Sequence, residues 1–209
     1  MQSVVAQEFE TIVVEDIVRY LGKTDKDPYL DYSVSFTYPS KHGNKDVLAK
    51  LQKHFIHYTM GEAFSLLTPE EAVKACIADW KTAYNKEMAN SSSPAVGWKV
   101  TCRNSITLIN ETLLQLKTEG ELYSLTNRII ETTTYALFNR HTGAEYSLND
   151  IFKPEINRKY KLIPETSFAV TETGILFAGE VSRTVQYTEI FPYLNENTPV
   201  WTFAEDKMK

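Results

Sequence analysis

Leu30-Asp31-Tyr32-Ser33-Val34-Ser35-Phe36-Thr37-Tyr38 alternates at every position. Leucine, tyrosine, valine and phenylalanine fall on one parity, and aspartate, serine and threonine on the other. A period of two is the signature of a strand with one face buried and one face wet. Pro39 ends the pattern. Just upstream, residues 10–20 are rich in valine and isoleucine and read as a second strand.

Downstream the period changes. Val47, Leu51, Phe55 and Tyr58 recur at helical spacing behind Asn44, a good N-cap. Gly61 then stops the helix. Thr68-Pro69-Glu70-Glu71 is a capping box with proline at the first helical position, and Val73, Cys76, Ile77, Trp80 and Tyr84 form one stripe behind it. Asn90-Ser-Ser-Ser-Pro94 reads as a linker. Strands follow from Val96 through Leu108, over 113–118 and over 121–138, with a turn expected at Gly120. Ser147–Phe152 suggests one helical turn. Residues 167–171 and 174–178 suggest a hairpin turning at Glu172-Thr173-Gly174. The fold expected is α+β, with two N-terminal helices packed on a mostly antiparallel sheet. Its expected parts are residues 1–95 and 96–209, packed as one unit.

Composition narrows the function classes. A chain of 209 residues, 43% hydrophobic and 23% charged, has the balance of a globular protein. At that length folding buries roughly 70% of the unfolded surface, enough for a core without staples. A net charge of −5, from 22 basic and 27 acidic residues, opposes a nucleic-acid binder. No run approaches the ~18 apolar residues of a membrane span. Residues 1–8 carry neither a basic segment nor an apolar run.

Chemistry-bearing motifs are sparse. His54 and His57 sit three apart on a helix, but no third zinc ligand is spaced with them, so no metal is expected. His141 falls in a turn, Asn139-Arg140-His141-Thr142-Gly143. No Gly-rich phosphate loop and no nucleophile elbow occurs, so no cofactor and no catalytic residue is assigned. Cys76 and Cys102 read as small buried hydrophobes. Aromatics are in mild excess, with 12 Tyr, 10 Phe and 3 Trp. Their densest cluster, Tyr187, Phe191, Tyr193 and Trp201, suits either a core or a recognition surface. Tyr187, Phe191 and Tyr193 are the binding candidates.

Three blocks carry a family resemblance. Tyr135–Gly143 followed by Tyr146-Ser-Leu-Asn-Asp-Ile-Phe152 resembles a strand, a Thr-Gly turn and a Leu-x-Asp-x-Phe signature. Phe168-Ala-Val-Thr-Glu-Thr-Gly-Ile-Leu-Phe177 resembles a Thr-then-Gly hairpin, and Tyr187-Thr-Glu-Ile-Phe-Pro-Tyr193 resembles a Tyr-Glu-Ile-x-Pro-Tyr motif with Thr188 inserted. In order and spacing these blocks, over residues 110–203, resemble the RsiV-type C-terminal domain family. Residues 10–100 resemble more weakly the companion domain that precedes it. The family includes the extracytoplasmic part of a lysozyme-sensing anti-sigma factor and an accessory region of a peptidoglycan deacetylase. The resemblance implies a non-catalytic cell-envelope binding or sensing module in the periplasm or at the cell surface. It implies an envelope protein or peptidoglycan as partner, and a chain trimmed of its signal peptide. A hydrolase working through paired carboxylates, or a structural lipoprotein, are the alternatives.

Overall fold

The computed structural model describes residues 7–20, 27–90, 97–123, 129–163, 166–179 and 182–209. Two strands open the fold, β1 (Glu8–Arg19) and β2 (Tyr29–Lys41). Two helices follow, α1 (Lys45–Met60) and α2 (Pro69–Asn90). Then come β3 (Trp98–Ile109), β4 (Leu113–Tyr123) and β5 (Ile129–Asn139). The last third holds short elements: α3 (Leu148–Ile151), α4 (Glu155–Tyr160), β6 (Ser167–Val170), β7 (Gly174–Ala178), β8 (Arg183–Gln186), α5 (Tyr187–Ile190) and α6 (Pro199–Met208). Strands β1 to β5 form a sheet in that order, and β6-β7-β8 form a second.

The expected order, with two N-terminal helices on a mostly antiparallel sheet, is overturned. The strands come first, and the larger sheet is mixed. β1 and β2 are antiparallel, but β2 and β3 run parallel, from Leu30 opposite Trp98 to Ser35 opposite Arg103. Parallel neighbours cannot be joined by a hairpin and need a crossover of a dozen residues or more. Helices α1 and α2 are that crossover, so their place lies between β2 and β3. The linker expected at Asn90–Pro94 falls mostly on residues 91–96, outside the described set.

Contacts divide the chain into two compact units, one of Val5–Ser105 and Thr118–Thr133, the other chiefly of Ile106–Lys117 and Thr134–Lys209. In the first, Leu30, Tyr32, Val34, Phe36 and Tyr38 of β2 are buried. They lie on the helix side with Leu51, Phe55 and Ile56 of α1 and Val73, Cys76 and Tyr84 of α2. Full burial of such a side chain stabilises by roughly 1.5–3 kcal/mol. Asn44 caps α1 by accepting from the amides of Asp46 at 2.8 Å and Val47 at 3.3 Å. Thr68 and Glu71 close the predicted box on α2, and the threonine bonds hold the Glu71 carboxyl below its usual range. Tyr38 ties three elements together, donating to Glu10 of β1 at 3.1 Å and Glu70 of α2 at 3.0 Å.

Asn104 does the most unusual work. The parallel ladder is registered to Ser35 and Arg103. Two residues further along β2, the Asn104 carboxamide substitutes for a strand. Its Oδ1 accepts from Thr37 N at 2.6 Å, and its Nδ2 donates to Thr37 O at 3.0 Å and to Thr59 Oγ1 of α1 at 2.9 Å.

In the second unit the core gathers Leu113, Leu137, Ile151, Phe152, Phe168, Ile175, Phe177 and Leu194. The hairpin at Thr171–Gly174 forms as expected, with β6 and β7 antiparallel. A Cβ on Gly174 would lie 2.1 Å from Val185 O, so only glycine fits there. Gln115 repeats the carboxamide device, accepting from Val170 N at 2.6 Å and donating to Val170 O at 3.2 Å. The turn expected at Gly120 is not there. β4 runs straight through it, and a Cβ would sit 2.9 Å from Thr132 Oγ1. That glycine answers a close approach of β5, not a reversal of the chain.

Asn104→Ala leaves the Thr37 amide and carbonyl unpaired in a partly buried place. The expected loss is roughly 2–4 kcal/mol of unfolding free energy, read as a lower urea midpoint at unchanged slope. A loss below about 0.5 kcal/mol would show that Thr37 finds other partners.

Candidate binding groove on the sheet face

The same alternation that buries Tyr32 and Val34 turns Ser33 and Ser35 to the other face of the sheet. The β2–β3 register sets Thr101 beside Ser33 and Arg103 beside Ser35, with Lys99 beside Asp31. Glu15 lies opposite Ser33 on β1 and accepts from its hydroxyl at 3.2 Å. β4 supplies Glu119 and Glu121, and β5 supplies Glu131, Thr132 and Thr133. Together these residues line a depression of about 570 Å³.

Its chemistry is polar throughout. Lys99 Nζ lies 3.0 Å from Glu121 Oε2, and Arg103 Nε lies 3.2 Å from Glu119 Oε2. Four glutamates against one lysine and one arginine leave the lining with an excess of negative charge. Five hydroxyls (Ser33, Ser35, Thr101, Thr132 and Thr133) alternate with these ions, and no aromatic ring lines the space. Such a surface can hydrogen-bond an extended polar ligand along several strands at once. It holds no activated nucleophile. Cys102 is buried and free, its Sγ donates to Thr59 O, and burial pushes its thiol up to about 12. Burial also raises Cys76 to about 12, with Asp79 adding to it.

The sequence-derived binding candidates lie elsewhere, in the second unit. Tyr187 is 3% exposed, and its hydroxyl donates to Thr171 O at 2.6 Å. That places it in the core, beside Phe203 of α6. Phe191 and Tyr193 are half-buried on a short 3₁₀ turn, Phe191–Tyr193. Phe191 packs on Trp201 with ring centroids 5.1 Å apart. Tyr193 meets Tyr160 edge-on, and Lys159 Nζ stands 4.7 Å from the Tyr193 ring centre. Arg183 lies over Tyr160, whose hydroxyl donates to Glu189 at 2.8 Å. Cations already occupy the Tyr193 and Tyr160 ring faces and Trp201 covers Phe191, which leaves these rings less open to a ligand than the groove is.

His57 Nδ1 lies 2.7 Å from Glu62 Oε2, on a short turn after α1. Among the described residues no group of three or more metal-ligating side chains converges. Nor is any helix among them long and apolar enough to cross a membrane.

No protein-family model and no curated protein matches the sequence. Solved structures do. A DUF3298-family protein from Bacteroides fragilis superposes with a TM-score of 0.80 at 16% identity, covering 97% of this chain and 99% of the other. The fold is shared with DUF3298 proteins. A second member, from Pseudomonas aeruginosa, gives a TM-score of 0.60 at 11% identity over 94% of this chain and 96% of its own. DUF3298 denotes a domain of unknown function, so the likeness carries the architecture alone.

The two raised thiols set an alkaline limit. An unfolded thiol ionises near 8.5, whereas the folded ones keep their protons to about 12. The folded state therefore binds more protons above about pH 8.5, and stability falls from there toward pH 12. Tyr84, raised by burial to about 12, adds to the fall above about pH 10. Denaturant melts across this range should show the decline, and a Cys76→Ala/Cys102→Ala variant should lack the part that begins first. Neither thiol should react with Ellman's reagent until the protein unfolds.

Proposed function

We propose that this chain is a non-catalytic binding or sensing module of the cell envelope, extracytoplasmic in location, with the sheet-face groove as its ligand site. The observation that carries the reading is the lining itself. Hydroxyls and ions repeat along five neighbouring strands, which suits a polymer of hydroxyl, amide and charged groups better than a compact apolar molecule. Peptidoglycan, with its glycan and charged peptide, has that chemistry. An envelope protein offering an extended polar segment is the other partner of this class. The RsiV-type resemblance of residues 110–203, and of residues 10–100 to the companion domain, supports the envelope assignment.

Four carboxylates in one groove also keep a hydrolase in view. Against it, Glu119 and Glu121 are held by Arg103 and Lys99, and Glu15 accepts from Ser33, so three of the four are already engaged within the lining.

Pull-down with purified peptidoglycan sacculi, and in parallel with envelope extract, tests the reading. Lys99→Glu/Arg103→Glu changes exposed ends only and should keep the fold. The expected result is retention of the wild type and at least a tenfold weaker retention of this variant, with Tyr193→Ala as comparator. Loss through Tyr193→Ala but not through the groove variant would move the site to the second unit. No retention of wild type on either material would remove the binding reading, and release of soluble fragments from sacculi would favour the hydrolase.

A further inference from the structure

We infer that the chain forms a two-fold dimer through the outer edge of β1, paired antiparallel with β1 of a second copy. Among the described residues β1 stands at the end of its sheet, with β2 as its one neighbour in the strand order. Glu8–Arg19 is a long, regular edge. It contains no proline, glycine or lysine, and its register is irregular only at Glu8/Phe9. Natural edges are usually short, bulged, or broken by lysine or proline, because an open row of amides and carbonyls invites another strand. Here Val13 and Ile17 are left 61% and 55% exposed on the groove face.

The sequence of β1 selects one register with itself. A two-fold axis perpendicular to the sheet keeps each face continuous, so a residue must meet a residue of its own parity. Centring the axis on Val13 sets Glu10 opposite Asp16. Centring it on Ile12 sets Glu8 opposite Asp16, and on Glu15 sets that carboxylate opposite itself. Directly opposed like charges destabilise a ladder. Of the centres that oppose none, Thr11 and Ile17 pair only residues 8–14 and 15–19, whereas Val14 pairs the longest stretch. It uses the strand from Phe9 to Arg19, with Phe9 against Arg19, Thr11 against Ile17 and Val13 against Glu15. Glu10 and Asp16, and likewise the two copies of Glu15, then become diagonal neighbours, about 7–8 Å apart. Each is already bonded within its own chain, Glu10 to Tyr38, Asp16 to Tyr32 and Glu15 to Ser33. Because the axis preserves the faces, both grooves open on the same side of one continuous sheet, and Glu15 of each lies near the axis.

Sedimentation or light scattering should give a concentration-dependent mass rising to twice the 23.9 kDa of one chain. The dimer should tighten as salt screens the diagonal carboxylates. Val14→Cys should form an intermolecular disulfide on mild oxidation, since the axis sets residue 14 against itself, whereas Val13→Cys should not. The native cysteines do not interfere, both being buried. Val13 is exposed, so its charge variants leave the fold intact. Val13→Glu, facing Glu15, should weaken dimerisation at least tenfold, and Val13→Lys should strengthen it. A monomer at every concentration overturns the proposal. So does cross-linking of Val13→Cys in place of Val14→Cys, or equal masses for Val13→Glu and Val13→Lys.

Discussion

Parallel pairing of β2 with β3 is the constraint on which the first unit depends. It obliges the chain to leave the sheet after Lys41, cross a face and return at Trp98, and the crossing segment becomes the helical cover of that face. The pair also has to end cleanly. β2 continues beyond its registered partners, and its backbone needs a donor and an acceptor at Thr37. Asn104, 67 residues away in sequence, brings both on one side chain and adds a bond to Thr59 of the covering helix. One carboxamide therefore fixes where the strands part and where α1 docks. Gln115 solves the same problem for Val170, 55 residues away. Side-chain amides suit the task because each presents a donor and an acceptor side by side.

Polar and apolar faces of the sheet then follow from a single parity. Every inward residue of β2 from Leu30 to Tyr38 meets helices, and every outward residue from Asp31 to Thr37 is only partly covered. The groove is the sum of such outward positions on adjacent strands. Hydroxyl and ion pairs run across it: Glu15 to Ser33, Lys99 to Glu121 and Arg103 to Glu119. These cross-strand rungs hold the lining in a defined pattern with little contribution to stability, as is usual for exposed ion pairs.

Local signals were legible where the physics is local. The alternation at Leu30–Tyr38, the caps at Asn44 and Thr68, the single helical turn within Ser147–Phe152 and the hairpin turning at Glu172-Thr173-Gly174 all report interactions among near neighbours. Strand partners are different. Nothing near Leu30 names Trp98 as its neighbour, so the parallel pair, and with it the role of the helices as a crossover, could not be read from one sequence. Gly120 misled because a glycine required by a close strand looks the same as one required by a turn. Tyr187 illustrates the limit for sites. An amphipathic ring fits core and surface alike, and only the carbonyl of Thr171 within reach of its hydroxyl distinguishes them. The groove was illegible for the same reason as the pairing: its lining is drawn from five strands spread over Glu15 to Thr133.

The crossover has a consequence for how the chain emerges from a ribosome. β1 and β2 can zip together early, for they are close in sequence and antiparallel. Their hairpin then carries a ribbon of tyrosine, valine and phenylalanine with no lid, and an inner edge whose rightful neighbour is still being translated. Helices α1 and α2 arrive next and shield the ribbon. The edge stays open until Trp98–Arg103 has cleared the exit tunnel. During that interval the nascent hairpin is at its most adhesive, and prompt docking of the two helices is its main protection against neighbouring chains.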